Sequence, residues 1–234
     1  MATGGKEKAP SASPARAKGT TRAIGRPRGK RSIGKEILVA KTVNLLRQLP
    51  PEKLSLTAAA NNSGVHLTLF KYYFQDRTRL LVDVARHLTV ELGDRVRAAD
   101  LDGEKTARER LRIRIDAMVD FYFLNPFYHR LMLEIVADEK EPLAGELISV
   151  WMSRTLEIYR GIISSGVADG SLRPLDERFT FLAIMGLCEQ FHYGQRLFDK
   201  AHLAPKETTE AAAARYKAFL YDLIFNGITA REAE

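Results

Sequence analysis

Few side chains of this 234-residue chain have the type and spacing that catalysis or metal binding requires. Glu189 and His192 have the i, i+3 spacing of a helix bundle that holds two iron ions, but such a site needs a second pair, which the sequence lacks. The patterns Gly-x-Ser-x-Gly and His-Glu-x-x-His and a phosphate-binding glycine loop do not occur either. We therefore expect no enzyme, no catalytic or metal site and no cofactor, and a helical-bundle enzyme remains the less favoured alternative.

Basic side chains are concentrated at the N-terminus. Residues 1–32 contain nine Lys or Arg and one acidic residue, whereas the whole chain carries a formal charge of +7, so the rest is nearly neutral. A basic arm on a neutral body indicates a polyanionic partner, most simply double-stranded DNA. The arm lacks apolar periodicity, so we expect it to be disordered when free.

The end of this arm has a composition that suits a narrow DNA groove. Gly25-Arg26-Pro27 resembles the core of AT-hook peptides, and an extended Arg-Pro segment fits the A·T-rich minor groove, whose negative potential attracts arginine. For residues 1–20 we favour a solubilising tail. The predicted DNA contacts of the arm are Arg26, Arg28, Lys30 and Arg31.

Helical periodicity begins at Ile33 and continues to the C-terminus, without the alternation of half-buried strands. Ser55 is placed to cap a short second helix, Gly64 to form a tight turn and Asp76 to cap a long fourth helix. Between the turn and Asp76 lies a short third helix. Two short helices around a glycine turn make a candidate helix-turn-helix. Further helices are predicted at about 104–124, 126–139, 142–167, 176–199 and 205–226.

The segment from Ser55 to Phe74 resembles the TetR family of bacterial transcriptional regulators. Gly64-Val65, Tyr73-Phe74 and the basic residue Arg77 match that family in type and spacing. The segment Gly170-Ser171-Leu172-Arg173-Pro174 is similar to a turn that many members carry before their last two helices. Three positions depart from the pattern. Ala59 replaces the usual isoleucine, and Lys71 replaces a tyrosine that touches phosphate. His66 stands where a serine usually caps the third helix, and histidine caps poorly.

The resemblance implies an all-α fold of about nine helices. Residues 1–32 would form the arm, 33–80 the helix-turn-helix domain, and 81–234 a helical ligand-binding and dimerisation domain. The third helix would enter the major groove, with Lys71 and Arg77 on phosphate oxygens. The predicted DNA contacts of the body are Ser55, His66, Leu67, Thr68, Lys71, Tyr72 and Arg77.

The C-terminal helices are rich in aromatic residues, which favours an apolar pocket for a small-molecule effector, although core packing is the simpler explanation for most of them. The predicted pocket residues are Phe121, Tyr122, Tyr128, His129, Trp151, Cys188 and His192. The last two helices are predicted to pair in a homodimer, the alternative being packing within one chain. The predicted dimer residues are Ala183, Gly186, Gly194, Tyr216, Phe219, Leu220 and Leu223.

Together these features predict a ligand-responsive, sequence-specific regulator, most simply a repressor, that acts as a homodimer on a palindromic operator. The alternative is a sequence-neutral architectural DNA-binding protein. The single cysteine suits a reducing cytoplasm. No apolar run approaches the ~20 residues of a membrane span, so we expect no membrane partner.

Overall fold

The structure, a computed structural model, describes Met1, Gly4 and residues 34–100, 105–138, 142–203 and 207–228. Within these ranges there are nine α-helices, one short 3-10 helix at Pro51–Lys53 and no strand, so the all-α prediction is confirmed. None of the described helices is both long and apolar enough to cross a membrane. The helices are α1 (Lys35–Leu46), α2 (Leu56–Ser63), α3 (Leu67–Phe74), α4 (Arg77–Ala99), α5 (Ala107–Leu124), α6 (Tyr128–Ala137), α7 (Pro142–Ala168), α8 (Glu177–Lys200) and α9 (Thr209–Ile228).

Side-chain caps fix where several helices begin. The Ser55 hydroxyl accepts a hydrogen bond from the Ala58 N–H at 3.1 Å, and the Asp76 carboxylate accepts one from the Arg79 N–H at 2.9 Å. Each cap satisfies a backbone donor that the first helical turn leaves without a partner. The starts of α2 and α4 therefore follow from local chemistry.

Helices α1 to α3 pack through small and aromatic side chains. Ala59 and Ala60 of α2 are each 1% exposed and allow α2 to pack against α1 and α3. Leu38 of α1 and Phe70 of α3 are fully buried in the same core. Helix α3 also packs against α4, and α1 packs against both α2 and α4, so the short helix α3 is held between two neighbours that share a third.

Helix α5 is the centre of the remaining helices. It packs against α4, α7, α8 and α9, and its residues Leu111, Ile115 and Val119 are fully buried. A capping box between Thr106 and Glu109, in which each side chain bonds the other's backbone N–H, fixes its start. The elements that pack around α5 thus share one helix as their common support.

The connection from α7 to α8 depends on close packing at Gly166. A Cβ atom at this glycine would lie 2.5 Å from Leu172 Cδ1 and 2.9 Å from Ala107 Cβ. The Leu172 N–H donates to the Gly166 carbonyl at 2.9 Å, and Leu172 is 2% exposed. The turn that follows α7 therefore folds its leucine back onto the helix and against the start of α5.

Candidate functional site

The turn between α2 and α3 is fixed by its backbone. Gly64 has φ +68° and ψ +33°, in the left-handed region where glycine carries no steric penalty. The Val65 N–H donates to the Ala60 carbonyl at 3.1 Å, which closes the turn. Lys41 Nζ of α1 donates to the Ser63 carbonyl at 2.9 Å and satisfies a carbonyl at the end of α2. This arrangement sets the direction in which α3 leaves the turn.

Helix α3 has an apolar inner side and a polar outer face. Phe70 and Phe74 lie inside, with ring centroids 5.3 Å apart and no more than 1% exposure. Leu67 is half-buried against the same core. The outer face of α3 is formed by four exposed residues, His66, Thr68, Lys71 and Tyr72.

His66 is the N-cap of α3. Its Nδ1 accepts a hydrogen bond from the Thr68 N–H at 3.3 Å and lies 2.8 Å from the Thr68 hydroxyl. His66 thus makes a capping contact in which Nδ1 replaces the usual hydroxyl oxygen, while the expectation that histidine caps poorly stays a prediction. With Nδ1 as acceptor, the neutral imidazole carries its proton on Nε2 and keeps one outward donor.

Lys71 and Tyr72 supply the remaining polar groups at the middle of this face. Tyr72 is 76% exposed, and its ring meets Tyr73 edge-on at 5.0 Å. Neither the Lys71 ammonium nor the Tyr72 hydroxyl has a hydrogen-bond or ion-pair partner among the residues that the structure describes. Both groups are free to meet acceptors of another molecule.

Arg77 has several partners within the chain. Its Nε donates to the Leu54 carbonyl at 2.8 Å, and its Nη2 donates to the Pro51 carbonyl at 2.6 Å. Nη2 also pairs with the carboxylate of Glu134 on α6. Arg77 therefore ties the start of α4 to the segment before α2 and to α6.

A cavity of about 980 Å³ lies among α4, α5, α6, α7 and α8. Aromatic and aliphatic side chains form much of its wall, among them Tyr122, Tyr128, Trp151 and Tyr159. This volume is at the upper end of the range for small-molecule sites, about 300–1,000 Å³. The second half of α4, from Thr89 to Arg97, contributes to the same wall.

The tyrosines of this cavity are neutral hydroxyl groups. Burial raises the pKa of Tyr128 to about 12, although a hydrogen bond with Thr89 at 3.0 Å opposes the shift. Burial also raises the pKa of Tyr122 and of Tyr159. All three phenols keep their protons at neutral pH and can donate hydrogen bonds to a bound molecule.

A second, smaller cavity of about 270 Å³ lies among α5, α8 and α9. His192 lines it, and the ring of Phe123 meets the imidazole edge-on at 6.5 Å. Burial, together with the charge of Arg196, lowers the pKa of His192.

Helices α8 and α9 pack against each other and expose large apolar side chains to solvent. A Cβ atom at Gly186 or Gly194 would meet nothing within 4 Å, so both glycines adjoin open space. We name this surface the α8–α9 face. It consists of Phe179, Leu182, Tyr193, Leu197, Phe219 and Leu223, which are 47–72% exposed.

Comparison with known families decides the identity of the chain. The family described as Tetracyclin repressor-like, C-terminal domain, matches residues 104–234, more than half of the chain. The chain belongs to the TetR family of transcriptional regulators. No curated protein matches it in sequence.

Solved structures share the TetR family fold with this chain at low sequence identity. A protein of unknown function from Rhodococcus sp. RHA1 is 20% identical, with a TM-score of 0.64, and covers 87% of this chain and 99% of its own. A TetR family regulatory protein from Rhodococcus RHA1 is 16% identical, with a TM-score of 0.65 and coverages of 83% and 96%. A transcriptional regulator from Saccharomonospora viridis in complex with choline is 18% identical, with a TM-score of 0.61 and coverages of 83% and 96%. At these identities the likeness concerns the fold alone.

Within this TetR family fold, some of the residues predicted to contact DNA are exposed as expected and others are not. The outer face of α3 brings four of them together, and Ser55 is exposed at the start of α2. Leu67 differs from its prediction because it is half-buried rather than outward. Arg77 differs because its guanidinium serves contacts within the chain. The arm residues Arg26, Arg28, Lys30 and Arg31 lie outside the described residues.

The structure places only some of the predicted pocket residues at the large cavity. Tyr122, Tyr128 and Trp151 line it, and Phe121 lies behind them in the core, with its ring 4.8 Å from that of Tyr128. His129, Cys188 and His192 do not line this cavity.

His129 and His192 are corrections to the predicted pocket. His129 is exposed and pairs with Glu189 instead of facing the large cavity. His192 borders the smaller cavity.

Cys188 is a third correction. It is fully buried between α8 and α5, with its Sγ 4.0 Å from the Ile115 carbonyl. Burial raises the pKa of the Cys188 thiol to about 12.

The arginines in the cavity wall were not predicted from the sequence. Arg110 and Arg114 of α5 both line it. Arg114 lies three residues after Leu111 and four before Met118, so it interrupts an apolar helical stripe. A charged residue on such a stripe was the available signal.

Some of the predicted dimer residues are exposed, and others pack within the chain. Ala183, Phe219 and Leu223 are exposed, whereas Leu220 is fully buried within the chain and is corrected to a core residue. Tyr216 stacks on Phe191 at 4.6 Å and donates from its hydroxyl to the Leu187 carbonyl at 2.6 Å. Tyr216 thus joins α9 to α8 within one chain. Large exposed residues of α8 that the prediction missed are Phe179, Leu182, Tyr193 and Leu197.

Proposed function

We propose that this chain is a ligand-responsive repressor that binds a palindromic DNA operator as a homodimer. The observation that carries the proposal is the outer face of α3, whose polar side chains are exposed although the helix is fixed on its inner side. A short helix presented in this way fits the major groove, where base edges offer distinct donors and acceptors. The domains proposed are the arm 1–32, the helix-turn-helix domain 33–80 and the regulatory domain 81–234.

The groups on this face suggest a division of work. The Nε2–H of His66 and the hydroxyls of Thr68 and Tyr72 would contact base edges, because they are neutral and can donate a hydrogen bond. Lys71 would hold a phosphate as a point charge, which positions the helix without reading sequence. We leave Arg77 out of the proposed phosphate contacts, since its donors already serve three acceptors.

The α8–α9 face supports the homodimer. Exposed apolar patches of this kind mark association surfaces, and a two-fold dimer buries the same face on both copies. Two recognition helices must then lie about 34–36 Å apart to meet successive turns of one duplex. A palindromic operator would mirror this symmetry.

Helix α4 supports the response to a ligand. Its first residue, Arg77, is bonded to the segment before α2, and its second half lines the large cavity. An effector that fits one position of α4 better than another would change the spacing of the α3 helices in the dimer. The choline complex of the Saccharomonospora viridis protein shows that a related fold can hold a small organic molecule.

Selection of bound fragments from random DNA, followed by footprinting, tests the proposal. We expect one short protected palindrome. Uniform, salt-sensitive coverage without sequence preference would instead favour an architectural DNA-binding protein.

Substitutions on α3 sharpen the test on the selected fragment. Lys71→Ala should weaken binding to all sequences alike and reduce the slope of log K against log salt by about 1, because one phosphate contact is lost. Tyr72→Ala should instead change the preference among operator variants.

Arg160→Ala on α7 is the control, because it removes an exposed cation of another helix. It should leave the salt dependence and the sequence preference of binding unchanged. Equal effects of Lys71→Ala and Arg160→Ala, measured by fluorescence anisotropy, would remove α3 from the interface.

A further inference from the structure

Arg114 is an arginine in the wall of the large cavity whose charge has no ion-pair partner among the residues that the structure describes. Its side chain is half-buried on α5, and its Cζ lies 5.5 Å from the centre of the Tyr159 ring. No ion pair or hydrogen bond joins the guanidinium to any residue in the described part of the chain. Burial lowers the pKa of Arg114, but an arginine keeps its proton at neutral pH.

Three other arginines of this cavity, Arg86, Arg97 and Arg110, have carboxylate partners, whereas Arg154 is exposed and makes no ion pair within the described residues. Arg110 pairs with Asp100 at 3.1 Å, and Arg97 pairs with Asp94 at 2.8 Å. Asp100 is the acid that acts on Arg114 electrostatically, yet its Oδ2 serves Arg110. The wall contains five arginines against three carboxylates, so its net charge is positive.

Three other polar side chains in the wall of this cavity can donate hydrogen bonds. Within the described ranges, the sulfur of Met118, at 4.0 Å, is the one hydrogen-bond partner of the Tyr159 hydroxyl. The Tyr122 hydroxyl and the Trp151 indole N–H make no hydrogen bond to a residue that the structure describes. A guanidinium, two phenols and an indole therefore border one cavity, and none of them bonds to a carboxylate or a carbonyl of the described residues.

We propose that the effector is an amphipathic organic anion whose carboxylate pairs with Arg114 while its apolar body fills the cavity. This inference rests on the proposed function, because it names the chemical class of the molecule that occupies the regulatory cavity. A carboxylate accepts hydrogen bonds from a guanidinium in a fork and from neighbouring hydroxyl groups. A cationic head group would instead be repelled by the positive charge of Arg114.

Three probes that share one alkyl chain test the head group. Decanoate, decan-1-ol and decyltrimethylammonium are titrated into the full-length protein below their micelle concentrations, with binding followed by calorimetry. We expect decanoate to bind at least about tenfold more tightly than the alcohol, the size of one charged hydrogen bond, and the ammonium to bind most weakly. Equal binding of all three, or tighter binding of the ammonium, would overturn the anion inference and leave the ligand-binding cavity of the proposed function intact.

Variants of the same helix assign the preference to one residue. Arg114→Met should abolish the advantage of decanoate over decan-1-ol, and Arg114→Lys should retain most of it. Arg112→Met is the matched control, because Arg112 lies two residues away over the Tyr221 ring and does not line the cavity. A decanoate preference that survives Arg114→Met would contradict the role of this arginine, whatever the control shows.

Two outcomes separate this inference from the proposed function. Decanoate that binds through Arg114 but leaves operator affinity unchanged would uphold the anion site and count against the ligand response to this probe. No binding by any of the three probes would contradict both the anion site and the ligand-binding part of the proposed function.

Discussion

Arg77 illustrates how the partners of one side chain decide its role. In the sequence it is the basic residue that follows the third helix, a position that favours a phosphate contact. In the structure its donors meet acceptors 23, 26 and 57 residues away along the chain. Arg77 bonds Oε2 of Glu134, and Oε1 of the same carboxylate is buried without a hydrogen-bond partner among the described residues, so the carboxylate depends on this arginine.

Replacement of Arg77 by methionine should therefore lower the stability of the fold. We expect a loss of about 2 kcal/mol in the free energy of unfolding, because charged hydrogen bonds are lost and the Glu134 carboxylate is left without its partner. Urea denaturation followed by circular dichroism measures this change.

Arg95→Met is the matched control for this substitution. Arg95 lies on the same helix in an exposed pair with Glu91, and its loss should cost less than about 0.5 kcal/mol. Unchanged stability of Arg77→Met together with a large loss of operator affinity would return Arg77 to the DNA interface.

Residues whose chemistry is local could be predicted from the sequence. Ser55, Gly64 and Asp76 act on backbone within a few positions, and the structure assigns them the predicted caps and turn. The capping contact of His66 was not predicted, since imidazole is a rare acceptor in that position. The partners of Arg77 could not be predicted, because they depend on which distant segments meet.

At the scale of helices, α5 carries the packing of the C-terminal elements, and its start is pressed against the end of α7. A Cβ atom added at Gly166 would lie only 2.5 Å from Leu172 Cδ1 and 2.9 Å from Ala107 Cβ, closer than carbon atoms normally pack. A helix pair packed this closely has no room to relax around a larger residue.

Gly166→Ala should consequently destabilise the protein by about 1–3 kcal/mol through overpacking, although alanine favours helices more than glycine does. Gly161→Ala on the same helix is the control, because a Cβ atom there meets nothing within 4 Å. We expect the control to unfold at the wild-type temperature or higher in a thermal melt. Equal melting temperatures of the two variants would show that α7 can shift away from Leu172.

The positions of the helices could be predicted from periodicity, but the element against which each apolar face packs could not. The apolar residues of α9 point in more than one direction: Leu220 is buried, whereas Phe219 and Leu223 are exposed. Periodicity places all three near one stripe and cannot say which neighbour covers it. The cavity arginines were missed for the same reason, since an inward charge is visible only once the surrounding helices are in place.

At the scale of the whole molecule, the α8–α9 face and the outer face of α3 have complementary roles in the proposed function. One would join two copies, and the other would meet DNA once in each copy. The match to a palindrome then depends on the dimer, because a single α3 reads only one half-site.

A charge placed in the α8–α9 face should prevent this assembly. Leu182→Glu and Phe219→Glu, each at a position about half exposed, should convert the dimer to a monomer at micromolar concentration, because the two-fold axis brings like charges together. Light scattering after size exclusion measures the mass.

Val136→Glu on α6, at a residue 58% exposed, is the control and should remain dimeric. A wild-type protein that is already monomeric under these conditions would contradict the dimer.

The buried position of the only cysteine has a practical consequence. Maleimide dyes react with an accessible thiolate, and Cys188 offers neither accessibility nor an ionised sulfur at neutral pH. A cysteine introduced on an exposed helix would thus be the one position labelled in the native protein. Pairs of such labels on two copies would report the separation of the α3 helices directly, with and without effector, and no native thiol would need to be removed first.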